Sequence, residues 1–156
     1  MARSLEVMGD PWVMLILREA LTGSTRYEQF RSALGVADNV LSLRLRTMVD
    51  AGLLERSPYR AGRRTHDEYR LTPAGADLLP VVHALFLWGE RHVPPPDDAS
   101  RLTIVHTGCG EATTSSESCS RCGEPLRTGN VQWRRPWLGS EPVSVIEPPT
   151  TSARCR

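Results

Sequence analysis

Between Thr25 and Thr72 the spacing of apolar residues changes once, and that change limits what the chain can become. Tyr27, Phe30 and Leu34 recur every three or four positions. After a turn at Gly35-Val36, so do Leu41, Leu45, Met48 and Val49. This is the period of helices with one buried face. The spacing predicts one helix from Thr25, capped by a Thr25–Glu28 box, and another over about 38–51, closed by Ala51-Gly52. From Leu53 the pattern changes. LLERSPYR and HDEYRLT read as strand arms on either side of AGRRT, whose glycine suits a hairpin tip.

The flanks are also legible. Residues 4–8 start a short helix. Asp10-Pro11 then opens WVMLILREAL, with an N-cap acceptor followed by a residue that has no N–H to orphan. That helix is apolar on nearly every side, so it belongs in a core, and Thr22-Gly23 ends it. Thr72-Pro73 opens a helix reaching about Arg91, with Leu78, Leu79, Val82, Leu85, Phe86 and Trp88 in a broad stripe and Pro80 expected to bend it. VPPPDDAS is a linker, and a smaller module follows it. The resulting division is 1–92, linker 93–100, module 101–146 and tail 147–156.

Two helices and a hairpin in this order make a helix-turn-helix with a wing. The second helix buries Leu41, Leu45 and Met48, so its other face points outward with Asn39, Ser42 and Arg46, and Arg44 at the flank. Such side chains can donate to base edges or phosphates in a major groove. Asn39 to His66 holds six arginines against Asp50 and Glu55, a local net of +4 in a chain whose total is +1. Arg60, Arg63 and Arg64 stand at the hairpin tip, placed for a minor groove or flanking phosphates. All nineteen basic residues are arginine, which is equally a compositional habit.

His106-x2-Cys109-Gly110 and Cys119-x2-Cys122-Gly123 are parallel phrases. Each sets two ligand atoms three residues apart before a glycine. Together they form a Cys3His set suited to a closed structural zinc site. About fifty residues with few large apolar side chains need such a clip, because they cannot bury much core. Segments 101–105 and 130–135 flank the phrases as strands of a miniature ribbon. Unmetallated thiols and a vestigial site remain alternatives, and Cys155 is a bystander in the tail.

The run GDPWVMLILREALTGSTRYEQF, then VLSLRLRTMVDAGLLER, then YRLTPAG, resembles the HxlR family of bacterial winged helix-turn-helix transcription regulators over about residues 5–92. The resemblance implies an α+β chain in which a winged domain with a long C-terminal dimerisation helix precedes the small zinc-ribbon-like module. It implies a homodimer on operator double-stranded DNA, with 38–51 as the reading helix. It puts the dimer contact on the first and last helices, through Leu5, Met8, Leu79, Val82, Leu85 and Phe86. Burying that apolar stripe against a twin would contribute about 1.5–3 kcal/mol per large side chain. Relatives that sense oxidants do so through a cysteine ahead of the first helices; here no cysteine precedes Cys109. Ala37 replaces the usual serine cap of the reading helix, leaving Asp38 to cap it, and Leu43 replaces a polar residue.

The expected function is transcription regulation by operator occupancy, as a repressor or an aid to polymerase. A small apolar effector would sit near Trp12, Phe86 and Trp88. No apolar run is long enough to span a bilayer and no signal-peptide core opens the chain, so the expectation is a cytoplasmic protein. Two other classes stay open: a winged protein-interaction module without specific DNA binding, and a zinc or thiol enzyme.

Overall fold

The structure is a computed structural model describing residues 1–61, 64–93, 101–136, 139 and 141–149. Arg63, most of the expected linker, Trp137, Cys155 and most of the expected tail lie outside the described residues, as does the side chain of Arg64. Two compact units emerge: residues 1–20, 24–76 and the C-terminal stretch from 147 form one, and residues 21–23 with 77–146 form the other.

In the first unit, α1 (Ala2–Met8) buries nothing. The Trp12 N–H donates to Asp10 Oδ1 at 2.9 Å and starts α2 (Pro11–Leu21) as expected. Val13, Ile16, Leu17 and Ala20 of α2 are buried, joined in the first unit's core by Phe30 of α3 (Tyr27–Leu34) and by Leu41, Leu45 and Met48 of α4 (Asp38–Asp50). Strands β1 (Leu54–Ala61) and β2 (Arg64–Leu71) form the antiparallel hairpin, with Leu54 opposite Leu71 at its buried root. The hairpin's other edge is tied down where Tyr69 N–H donates to Thr25 O.

Three local expectations are corrected here. The start of α3 is held by Gln29, whose Oε1 accepts from the Thr25 and Arg26 N–H groups, and not by a Thr25–Glu28 box. Glu28 instead pairs with Arg31. Asp38 does not cap α4. Ala37 is the N-cap residue and offers no side chain, while Asp38 accepts from Tyr27 Oη and pairs with Arg31 Nε at 3.1 Å. The helix from Thr72 is two pieces, α5 (Pro73–Ala76) and α6 (Leu79–His92). Pro80 lies in the first turn of α6, where its missing N–H costs no bond, so it opens a helix and does not bend one.

The second unit holds α6 and a four-stranded sheet of order β4-β3-β5-β6, made by β3 (Thr103–His106), β4 (Ala112–Thr113), β5 (Val131–Arg134) and β6 (Val143–Ser144). The expected pairing is present, with Ile104 opposite Trp133. Strand β4 lies inside GEATTSSES, the polar stretch between the two Cys/His phrases. Thr113 Oγ1 organises it by accepting the N–H groups of Ser115 and Ser120. Trp133 is fully buried and its indole N–H donates to His83 Nε2 at 3.0 Å. His83 Nδ1 faces the Ser116 carbonyl at 3.2 Å, which makes Nδ1 the protonated nitrogen. Phe86 meets Trp133 edge-on. So α6 is part of the ribbon's core, and the division between compact units falls before it and not at the linker. Among the described residues no helix is long and apolar enough to cross a membrane.

Candidate nucleic-acid interface and metal centre

Helix α4 has one buried and one open face. Leu41, Leu45 and Met48 have no exposed surface, whereas Asn39, Ser42 and Arg46 are exposed. Leu43 is half exposed and lies on the open side. Ser42 Oγ donates to Tyr27 Oη at 3.3 Å, and Tyr27 Oη donates to the Asp38 carbonyl at 3.0 Å. Tyr27 therefore anchors the first turn of α4 to α3, a role that its apolar spacing concealed.

Arg44 is not a free donor. Its Nη2 pairs with Asp10 Oδ2 at 2.6 Å, and the side chain is largely covered. The residue expected at the helix flank thus ties α4 to the start of α2. Arg60 is exposed on the hairpin. Arg56, on the same strand, pairs with Asp67 at 2.6 Å. The sequence tally of +4 ends at His66, one residue short of that acid, and it also leaves out Asp10.

His106 ends β3, Cys109 follows in the next turn, and Cys119 and Cys122 lie on a second turn. The two turns match: Gly110 N–H donates to His106 O, Gly123 N–H donates to Cys119 O, and the two glycines have φ of 72° and 80°. That left-handed conformation suits glycine and lets the backbone curl beneath the ligands. The four ligand atoms all lie within 4.8 Å of one another. His106 Nδ1 is 3.4 Å from Cys109 Sγ and 3.3 Å from Cys122 Sγ, and the Cys109 and Cys119 sulfurs are 3.6 Å apart. The edges of a zinc tetrahedron with Zn–N and Zn–S bonds of ordinary length are about 3.5–3.8 Å, so the set fits that ion. Backbone N–H groups of Cys122 and Arg121 hold the Cys119 thiol below its ordinary pKa, a setting suited to a thiolate ligand. These four residues can hold a metal ion, and they use all four positions. Cys119 and Cys122 lie on a turn and not at a helix start, so they lack the setting of a thiol oxidoreductase pair.

The expected dimer residues divide. Leu79 and Val82 are almost wholly buried within the single chain and belong to its core, while Phe86 is half-buried and meets Trp133 edge-on. Leu5 and Leu85 remain exposed, and Met8 is half-buried. Val81 and Trp88, at 50% and 57% exposure, extend Leu85 into one open stripe that sequence reading did not separate from the buried one. Of the residues expected around an effector, Phe86 is engaged by Trp133 and Trp88 leans on His92.

A family model described as HxlR-like helix-turn-helix matches residues 7–97. The chain is 40% identical over 129 residues to the uncharacterized HTH-type transcriptional regulator Rv3095 of Mycobacterium tuberculosis, covering 83% of this chain and 80% of that one. Among solved structures, PA1607, a candidate transcription factor, has a TM-score of 0.67 at 39% identity and covers 80% of this chain and 86% of its own. The redox regulator HypR in its reduced form has a TM-score of 0.55 at 28% identity, covering 60% of this chain and 92% of its own. The likeness to PA1607 thus reaches into the ribbon. These relatives are named as regulators or transcription factors and none as an enzyme. On an open-faced α4 followed by an arginine-bearing hairpin, and on a family match over more than half its length, the chain belongs to the HxlR-like helix-turn-helix family.

Proposed function

We propose that this chain regulates transcription as a homodimer, with α4 of each copy in a major groove of operator DNA and the hairpin on the flanking backbone. The observation that carries the reading is the face of α4. Asn39, Ser42 and Arg46 are exposed directly opposite a fully buried Leu41–Leu45–Met48 stripe. Arg60, Arg63 and Arg64 add the salt-dependent backbone term. Arg44 is assigned to holding α4 and not to touching DNA. The stripe Val81–Leu85–Trp88 of α6 is the surface assigned to the second copy, and Leu5 of α1 is a separate exposed apolar residue assigned to it. Residues 1–92 would then read and dimerise, while 101–146 stiffen the dimerisation helix. His106, Cys109, Cys119 and Cys122 would hold a structural zinc ion that supplies no chemistry beyond cross-linking the two turns. The chain is a regulator and not an enzyme, in keeping with its relatives.

Genome-wide recovery of DNA bound to the native protein tests the reading. The expected result is a recurrent pseudo-palindrome with half-sites about 34–36 Å apart. Binding to that site should weaken about tenfold or more in Arg46→Ala. Uniform recovery of all genomic sequence, with Arg46→Ala indistinguishable from wild type, would favour the protein-interaction class.

A further inference from the structure

We infer that a DNA phosphate is gripped between α4 and the hairpin by Arg46 and Arg56, and that Asp67 fills the grip while the protein is free. The inference rests on the DNA-binding reading above and adds a site and a restraint to it. A cavity of about 320 Å³ opens between the two elements. Helix α4 lines it with Ser42, Arg46 and Asp50, spaced four residues apart on one face, and the hairpin lines it with Arg56, Asp67 and Tyr69. Strand register explains the hairpin's share. Leu54 and Leu71 face each other in the core, and one alternation further out on the same face Arg56 stands opposite Tyr69. The face that begins as core therefore ends as a guanidinium beside the reading helix.

Two arginines and two aspartates leave the cavity neutral. Arg46 has no ion-pair partner among the described residues, whereas Asp67 Oδ2 takes Arg56 Nη2 at 2.6 Å. The bond raises the Arg56 pKa above its usual value, but the guanidinium is 60% exposed, so the pair is weakly held against solvent and salt. A phosphodiester offers the same planar fork two oxygens and a full charge. It can take the place of Asp67 with Arg46 alongside, in a cavity that Tyr69 also lines. Asp67 is thus a built-in competitor: it lowers affinity for any duplex and leaves discrimination to the base-facing residues of α4.

Anisotropy titrations of the full chain with a fluorescent random-sequence duplex of about 30 base pairs, at several salt concentrations, test this. Arg56→Gln should weaken binding about three- to tenfold and flatten the dependence of log K on log salt by about 0.9 per protomer. Asp67→Asn should strengthen binding by a similar factor. The deciding variant is the double one. If Asp67 acts by occupying Arg56, the Asp67→Asn gain vanishes in the Arg56→Gln background. A gain that persists there means mere removal of negative charge and overturns the grip. An unchanged Arg56→Gln also overturns it, while a wild type that binds no duplex at any salt brings down the regulator reading itself. A melting-temperature rise with millimolar inorganic phosphate alone, lost in Arg56→Gln, would move the site from duplex to free phosphate.

Discussion

At the residue scale, two residues do more than their type suggests. His83 is completely buried and accepts from the Trp133 indole, so it must stay neutral; burial pushes its pKa down to about 4. In the unfolded chain the ordinary value is about 6.5. Between those two values the unfolded state binds the extra proton, so His83 stabilises the fold above pH 6.5 and that contribution fades as pH falls toward 4. Thermal melts of wild type and His83→Gln across this window should converge on acidification, the variant being less stable by about 1–3 kcal/mol near neutrality. Gly108 is the second. A Cβ there would lie 2.8 Å from His106 Cε1. Gly108→Ala should therefore displace the imidazole and weaken metal retention against a chelator, leaving secondary structure in the 25–71 segment unchanged by circular dichroism.

At the element scale, α4 and the hairpin were legible because their signals are local periods: three-and-four spacing up to Asp50, alternation after Leu53. The metal turns were legible too, because ligand spacing and glycine position are written within four residues. What sequence hid was set by distant partners. Arg44 reads as a flank of the groove face until Asp10, just ahead of α2, claims it. Leu79 and Leu85 belong to one apolar run, and only the tertiary fold sorts the buried one from the exposed one. Strand β4 has two residues and a polar context, so no period announces it. The α5 start offers an element-scale test. Thr72 Oγ1 accepts from Gly75 N–H at 3.0 Å and donates to the Gly52 carbonyl, joining the helix cap to the turn after α4. Thr72→Ala should cost about 1–2 kcal/mol in chemical denaturation, more than a cap that serves one helix.

At the scale of the whole molecule, the exposed stripe of α6 bears on the proposed homodimer. If that proposal holds, Leu85→Asp should leave a monomer by sedimentation without lowering the monomer's melting cooperativity, since Leu85 is half exposed in the single chain. Operator affinity should fall with it, because two half-sites bound independently forfeit the gain of linkage.

The hydrogen bond from the Trp133 indole to His83 has a final consequence. A chain cut after residue 97 would retain the whole span of the family match yet lose the lid over its last helix, leaving the His83 imidazole and the Phe86 ring bare to water. Such a fragment should aggregate or bind apolar dyes where the entire protein does not, so the span shared with the family would not suffice for this member.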